Sequence, residues 1–234
     1  MIGGLKCVTE TLRKSNIREK IKKTYTRYLD HETYGKYSKH GNYYYFFHNN
    51  GKQEHDVLKR VRRIGDKPET FIDVNKLSKN GLVGLENVEF SKDGSMIAYS
   101  LIINGSDWTT IKFKKADGTD LPDVLKNVKF SEVKFVFGTK GCIYGTYPKH
   151  GKIDENHSLY YHKMGTQQNN DFVLVEDKES RDSMISSQVS EDEKYLIVYY
   201  GEGEYSRVSY YNISNINEFS TKIHPIPIFN KADA

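Results

Sequence analysis

Short segments rich in aromatic and β-branched residues, each opening with a tight turn, occur four times along the chain. They are SKHGNYYYFF (residues 38–47), FSKDGSMIAYSL (90–101), FGTKGCIYGTY (137–147) and VSEDEKYLIVYY (189–200). The same turn position, at steps of 53, 47 and 52 residues, is held in order by Gly41, Gly94, Gly141 and Glu193. A period of about 40–50 residues with strands throughout is typical of a β-propeller, in which each repeat builds one four-stranded blade.

The first 32 residues follow a different period. Apolar side chains recur there at helical spacing on one face: Ile17, Ile21, Tyr25, Tyr28 and Leu29. Asn16 followed by Glu19 resembles a capping pair, so the pattern predicts a helix over about residues 16–29. We therefore divide the chain into an N-terminal segment with an amphipathic helix (1–32) and a propeller region (33–234).

Everything after the helix is interpreted as strands of four to eight residues joined by turns. Turns at residues 65–68, at 117–118 and at Gly165 mark outer hairpins of successive repeats. The predicted strands are residues 43–48, 57–62, 70–74, 96–103, 109–115, 142–147, 159–164, 172–176, 196–200 and 208–213. The fold class expected is all-β, with about four consecutive antiparallel sheets arranged radially after one short α-helix.

Composition narrows the classes of partner only slightly. The 234 residues carry 35 Lys and Arg against 31 Asp and Glu, and this mild net charge of +4 does not by itself indicate nucleic acid or membrane binding. The N-terminus lacks the apolar core of a signal peptide, and the longest uncharged run, residues 95–106, is too short to span a bilayer. Cys7 and Cys142 have no metal or redox spacing and are expected to be free thiols in a reducing compartment, which favours a cytoplasmic protein.

Other arrangements that could carry chemistry are weak. His48 and His55, with Glu54 and Asp56, lack a metal-ligand spacing that a strand would support, and YGEGEY has neither the lysine nor the helix of a phosphate loop. The aromatic run at residues 43–47 could be a stacking platform for single-stranded nucleic acid, but alternation along a strand places about half of it in a core. We expect no metal, no cofactor and no nucleic-acid partner.

One block carries a family resemblance. GSDWTTIKFKKADGTDLPDVLKNVKFS (105–131) resembles the N-terminal propeller of prolyl oligopeptidase, a family of cytosolic serine peptidases that act on short proline-containing peptides. Residues 90–101 and 159–180 are similar to neighbouring family segments, and the stretch from Ile17 into the first repeat is similar to the family's last N-terminal helix and first blade. The resemblance covers about residues 16–215, and the chain is expected to diverge from the family after Ile213.

The resemblance implies a seven-bladed propeller followed by an α/β-hydrolase domain that holds a catalytic serine in a strained strand-to-helix turn. Four repeats would supply only part of such a propeller, so we interpret the chain as a fragment. No G-x-S-x-G pattern occurs in the sequence, and the serines nearest glycines, Ser95 and Ser106, fall in predicted blade turns. We expect no catalytic residue here and no activity from the chain alone.

The same resemblance implies two substrate-side residues. Phe130 matches a family phenylalanine on the propeller side of the substrate pocket, and Met184 matches a methionine near it. Where the family typically has an arginine and a cysteine, the loop YYGEGEYS offers Gly201 and Glu204, so substrate handling on that side departs from the family pattern.

Two function classes remain open. The chain is expected to be the non-catalytic, substrate-gating propeller portion of a prolyl oligopeptidase-like endopeptidase, which would meet short proline-containing peptides only when an α/β-hydrolase domain is supplied. The alternative is a stand-alone propeller that serves as a protein-interaction scaffold. The GSDW and LPDV segments favour the first class, because they resemble the peptidase family and not kelch or WD-type repeats.

Overall fold

The computed structural model describes residues 12–78, 81–148, 155–203 and 205–229 and contains four antiparallel sheets, each one blade of a propeller. Blade 1 contains β1 (Thr33–Tyr34), β2 (Ser38–His40), β3 (Tyr43–Asn49), β4 (Val57–Val61) and β5 (Glu69–Ile72), and blade 2 contains β6 (Val83–Phe90), β7 (Met96–Ile103), β8 (Trp108–Lys115) and β9 (Asp120–Lys129). Blade 3 contains β10 (Lys134–Val136), β11 (Gly141–Thr146), β12 (Ser158–Lys163) and β13 (Phe172–Val175), and blade 4 contains β14 (Met184–Val189), β15 (Tyr195–Glu202), β16 (Tyr205–Asn212) and β17 (Ile226–Phe229). The predicted all-β, partial-propeller fold is confirmed.

Strands pair with their neighbours in chain order within every blade. In blade 1, β1 and β2 both pair with β3 and form two halves of one interrupted strand, so each blade has four strand positions. Two short 3₁₀ helices, Val74–Lys76 and Gln168–Asn170, follow β5 and precede β13. All hairpins are local in sequence, which is what the repeated turn signals indicate.

Apolar side chains between consecutive blades hold the sheets together. The second strand of a central blade is buried on both faces: on β7, Ile97 and Leu101 pack toward blade 1, while Ala98 packs toward blade 3. On β11, Ile143 packs toward blade 4 and Tyr144 toward blade 2. A strand covered on both faces is a nearly continuous apolar run, which explains why these strands were the clearest signal in the sequence.

The turns between the first and second strands of blades 2 and 4 have the same hydrogen bonds. Ser91 Oγ donates to Asp93 Oδ1 at 2.7 Å and accepts from the Met96 amide at 2.9 Å. Residues 190–195 repeat this with Ser190 Oγ, Asp192 Oδ1 and the Tyr195 amide, at the same two distances. The predicted equivalence of these repeats therefore extends to individual side chains.

These turns meet at one end of the blades. Gly94 has φ +69°, and a Cβ added there would lie 2.8 Å from Gly41 Cα, so only glycine allows the turns of blades 1 and 2 to touch. Lys92 Nζ, in the same turn as Gly94, donates to the backbone carbonyl of Glu191 at 2.5 Å and lies 4.0 Å from the Glu193 carboxylate. The turn of blade 2 thus contacts those of blades 1 and 4, as expected for blades around a common axis.

Blade 3 departs from the predicted turn. The left-handed residues there are Phe137 (φ +57°) and Gly138 (φ +71°), whereas Gly141 is already in β11 and has no positive φ. A Cβ on Gly141 would lie 2.7 Å from Cζ of Tyr161, so this glycine makes room for a buried ring. The assignment of Gly141 to the shared turn position was wrong in conformation.

A buried charged network joins blades 2 and 3. The His162 ring is fully buried, with Nδ1 2.8 Å from Asp171 Oδ1 and Nε2 3.1 Å from Asp123 Oδ1. Burial opposes a charge on the imidazole, but the hydrogen bonds and charges of Asp171 and Asp123 outweigh it and raise the pKa of His162. Tyr144 also donates to Asp171, at 2.9 Å, so the network connects β9, β11 and β12.

The helix α1 (Arg18–Leu29) lies within the predicted range, but its cap differs. Ile17 is the N-cap residue and makes no side-chain hydrogen bond, so the capping pair predicted from Asn16 and Glu19 is wrong: Glu19 instead pairs with Arg18 at 3.1 Å. The helix buries no residue, and its apolar side chains Ile17, Ile21, Tyr25, Tyr28 and Leu29 are all exposed. Among the described residues, no helix is both long and apolar enough to cross a membrane. Cys7 lies outside the described residues, and the domain division at residue 32 stays a prediction.

The contact between the turns of blades 1 and 2 gives a test with a matched control. Gly94→Ala adds a methyl group against the Gly41 backbone and a left-handed alanine, whereas Gly105→Ala, at φ +65° in open space, adds only the left-handed strain. We expect Gly105→Ala to cost about 1 kcal/mol of unfolding free energy and Gly94→Ala about 3 kcal/mol, because overpacking adds to strain. Urea unfolding measures both. Equal losses would contradict the turn contact.

The uncovered sheet faces predict association of the isolated 234-residue chain. In β17, Ile226, Ile228 and Phe229 are exposed, and Tyr34 and Tyr37 are exposed on blade 1. Exposed edge strands and apolar faces promote pairing with other chains. We expect oligomers or aggregates in light scattering and rescue by co-expression with further propeller blades and an α/β-hydrolase domain. A monodisperse monomer with a sharp, cooperative melt would contradict this and favour the stand-alone scaffold.

Candidate functional site

A cavity of about 820 Å³ opens where the first strands of blades 2, 3 and 4 converge. Its wall is formed by side chains from three different sheets, so it depends on the packing of the blades and not on one loop. Its lining residues include Glu86, Phe130, Glu132, Lys134, Ile185 and Gln188.

The polar wall of this cavity is organised by one lysine. Lys134 Nζ lies 2.8 Å from Glu132 Oε2 and 3.0 Å from Glu89 Oε1. Burial disfavours the ammonium charge, but the two carboxylates outweigh it and raise the pKa of Lys134. Glu86 lines the same cavity, and burial, together with the nearby charge of Asp107, raises the pKa of its carboxyl. The wall is therefore polar and mildly acidic.

Phe130 stands out in this wall. Its backbone has φ +53°, a left-handed conformation that is unfavourable for an aromatic residue, and its ring is 48% exposed. Strained backbone held in place by its surroundings is concentrated at functional sites. The structure places this predicted substrate-side residue in the cavity wall.

Lys129 holds the Phe130 ring from behind. Only 6% exposed, Lys129 places its ammonium 4.7 Å from the Phe130 ring centroid, 5.4 Å from Trp108 and 5.7 Å from Tyr147. A cation over an aromatic face is attracted by the ring quadrupole, more strongly when both are desolvated. Sequence reasoning missed Lys129, because its three aromatic partners come together only when β8, β9 and the segment after β11 pack.

Met184, the second predicted substrate-side residue, begins β14 and is 43% exposed. It is not itself in the cavity wall, but the next four residues of the strand are. Met184 pairs with Gly201 across the hairpin, so the position where the family typically offers a long side chain is bare backbone here. Glu204 lies outside the described residues.

His157 connects the backbone segments that carry Phe130 and Met184. Its Nε2 donates to the carbonyl of Lys129, the residue before Phe130, at 3.1 Å, and its Nδ1 accepts from the amide of Ile185, the residue after Met184, at 3.2 Å. The ring is 1% exposed, and burial lowers its pKa more than these hydrogen bonds raise it. Nothing in the sequence around His157 indicated this bridge.

The other histidines examined in the sequence have structural partners. His48 Nε2 lies 2.6 Å from Glu32 Oε1, and His55 Nε2 donates to the carbonyl of Gly81 at 2.7 Å. Of the aromatic run, Tyr45 and Phe46 are buried, whereas Phe47 is partly exposed. These residues hold blade 1 together.

The lysine behind Phe130 gives a spectroscopic test. Trp108 is the single tryptophan of the sequence, so intrinsic fluorescence excited at the indole reports on this cluster alone. We expect Lys129→Met to shift the Trp108 emission and increase quenching by added acrylamide, since removing the ammonium loosens the three rings around it. Lys163→Met, a lysine paired with Glu218 elsewhere in the fold, is the control. Identical spectra for both variants would contradict the contact between the Lys129 ammonium and the three rings.

Comparisons with known proteins agree with the architecture. A model of the family described as "Prolyl oligopeptidase, N-terminal beta-propeller domain" matches residues 6–232. The match extends well beyond Ile213, so the expected divergence after that residue is wrong, and residues 226–229 form the fourth strand of blade 4.

Curated relatives are longer than this chain. The prolyl endopeptidase of Elizabethkingia miricola is 35% identical over 188 residues, which cover 77% of this chain and 26% of the relative. Prolyl oligopeptidase A of Amanita bisporigera is 32% identical over 187 residues, covering 67% of this chain and 25% of the relative. The chain spans about a quarter of the length of these relatives.

Solved structures share the fold. Prolyl oligopeptidase B from Galerina marginata, bound to a 35mer hydrolysis and macrocyclization substrate, superposes with a TM-score of 0.87 at 22% identity, over 97% of this chain and 36% of that protein. Oligopeptidase B from Leishmania major gives 0.76 at 18% identity, over 92% and 30%. With a family match over nearly its whole length and four propeller blades in its structure, the chain belongs to the prolyl oligopeptidase family and corresponds to its N-terminal β-propeller domain.

Proposed function

We propose that this chain is the substrate-gating propeller portion of a prolyl oligopeptidase-like serine endopeptidase. Its partner is an α/β-hydrolase domain that carries the catalytic residues, and the substrates are short proline-containing peptides in the cytoplasm. The propeller contributes no catalytic group: it limits which peptides reach the hydrolase domain and offers Phe130 and Met184 to them.

The observation that carries the proposal is Phe130. An aromatic ring that is half exposed, on left-handed backbone, at the wall of an open cavity and held by a buried lysine is costly unless something binds it. A flat apolar ring suits the pyrrolidine of proline, which presents an apolar face without a hydrogen-bond donor.

The exposed side of α1 supports a second domain. Four apolar side chains on this helix and its N-cap residue Ile17 are more than half exposed, and the helix buries none of its residues within the chain. A helix with an apolar face gains its stability from covering that face. A hydrolase domain seated beside α1 would supply that cover.

The serines nearest glycines have structural tasks. Ser95 Oγ donates to Asp93 Oδ1 at 2.8 Å within a turn, and Ser106 Oγ accepts from the Trp108 amide at 3.1 Å. Neither serine opens a helix, as a nucleophile elbow requires. We therefore assign the chemistry to the partner domain.

A chimera tests the proposal. Residues 6–232 of this chain replace the matching region of the Elizabethkingia miricola prolyl endopeptidase, and cleavage of short and long proline-containing peptides is measured. We expect cleavage of the short peptides only, and Phe130→Ala is expected to raise KM about tenfold, the effect of about 1.4 kcal/mol of lost apolar contact, with a smaller change in kcat. The isolated chain should neither cleave a proline-linked chromogenic peptide nor react with a fluorophosphonate.

Ile64→Ala is the control, because Ile64 is exposed in the outer hairpin of blade 1, away from the cavity. Equal kinetics for Phe130→Ala and Ile64→Ala would remove Phe130 from the substrate site. A folded chimera that cleaves long and short peptides alike would refute gating and favour the scaffold function.

A further inference from the structure

We propose that His157 is a positioning residue that holds the Phe130 segment and the Met184 strand together, and that its protonation below neutral pH releases them. The expected effect on substrate binding rests on the proposed function, whereas the hydrogen bonds that His157 makes do not depend on it. The bridge joins two blades: Lys129 ends β9 in blade 2, and Ile185 lies in β14 in blade 4, while His157 stands just before β12 in blade 3.

The partners determine the protonation state of the imidazole. The Lys129 carbonyl can only accept, so Nε2 carries a hydrogen, and the Ile185 amide can only donate, so Nδ1 carries a lone pair. The bridge therefore requires neutral imidazole. A second proton would sit on Nδ1 and face the Ile185 N–H, replacing a hydrogen bond by two opposed donors.

The surroundings favour the neutral form. The Tyr147 ring lies edge-on to the imidazole with its centroid 5.0 Å away, and the Lys129 ammonium lies over the same Tyr147 ring. Gly145 on β11 lies against the Cε1–Nε2 edge of the ring, and the Ile185 amide on β14 donates to Nδ1. Burial opposes an imidazolium more than the two backbone hydrogen bonds favour one, so the pKa of His157 is lowered.

The direction of the pH effect follows from this. Because the pKa of His157 is lowered by folding, the stability it contributes is complete above the unfolded value of about 6.5 and is lost as the pH falls below that value. His162, five residues further on, has a raised pKa. The stability that it contributes is therefore complete below the unfolded value of about 6.5 and is lost as the pH rises above it. These two buried histidines of one blade therefore change stability in opposite directions as the pH changes.

Space for the ring comes from a glycine. A Cβ on Gly145 would lie 2.6 Å from Cε1 of His157 and 3.1 Å from Nε2, although the backbone of Gly145 has no positive φ. Gly145→Ala therefore displaces the imidazole without removing it, which separates loss of the bridge from loss of the side chain.

The first arm of the experiment uses the 234-residue chain and does not depend on peptidase function. Trp108 emission is titrated from pH 8 to pH 5, since the indole contacts Tyr147, which contacts His157. We expect a reversible emission change below about pH 6.5 that is absent in His157→Gln and Gly145→Ala and present in His162→Gln. Deuterium exchange at the imidazole C2 position, measured by mass spectrometry on the unsubstituted chain, should give a lower protonation midpoint for His157 than for His162. An equal or higher midpoint for His157 would overturn the proposal, as would an emission change that His157→Gln retains.

The second arm uses the chimera with the Elizabethkingia miricola hydrolase domain. We expect His157→Ala to raise KM for short proline peptides about threefold to tenfold with little change in kcat, which is the size of one lost positioning hydrogen bond. We also expect KM of the unsubstituted chimera to rise at acid pH, and this rise to be absent in His157→Ala. His157→Gln, which can still donate and accept, should restore part of KM at neutral pH. An inactive chimera would count against the proposed function and leave the first arm to decide on the bridge. Normal KM and an unchanged pH profile in an active chimera would refute the positioning role.

Discussion

Apolar packing between consecutive twisted sheets is the interaction on which the rest of the structure depends. A single four-stranded blade exposes two faces, and it becomes stable only when its neighbours cover them. In blades 2 and 3 both faces are covered, and β7 and β11 bury side chains in two directions. Among the described residues, blades 1 and 4 each pack against a neighbouring blade on one face only, so the same interaction leaves one face of each uncovered within that part of the chain.

The candidate site also depends on the packing between blades. Phe130 follows blade 2, His157 belongs to blade 3 and Met184 to blade 4, so no single repeat contains the site. Their relative placement is set by inter-blade packing and then refined by two short-range devices, the Lys129 ammonium behind Phe130 and the His157 bridge.

Sequence reasoning succeeded where local pattern and burial coincide. The second strands β3, β7, β11 and β15 are rich in aromatic and β-branched residues and each follows a turn signal, so all four were predicted. β14 was missed because it borders the cavity and is polar in sequence (MISSQV), and β17 was missed because Pro227 interrupts an exposed edge strand.

Only some residues of the candidate site could be predicted from the sequence. Phe130 and Met184 came from resemblance to a family, not from any property of their neighbours in sequence. Lys129 and His157 could not be predicted, since Trp108 lies 21 residues from Lys129, and Lys129 and Ile185 each lie 28 residues from His157. The charge state of a buried histidine also depends on which atoms face it. The capping pair at Asn16 and the turn glycine at Gly141 failed for the opposite reason: a plausible local signal was overridden by what packs nearby.

The central claim is that the blades lie around a common axis, so that the turns of blades 2 and 4 touch although blade 3 separates them. Zero-length carbodiimide cross-linking at low protein concentration, followed by peptide mass spectrometry, tests it most directly. We expect a Lys92–Glu193 cross-link within one chain, because the Lys92 ammonium lies 4.0 Å from the Glu193 carboxylate. The Lys163–Glu218 pair, at 2.9 Å, is the positive control. Formation of the control cross-link without the Lys92–Glu193 cross-link would contradict the radial arrangement.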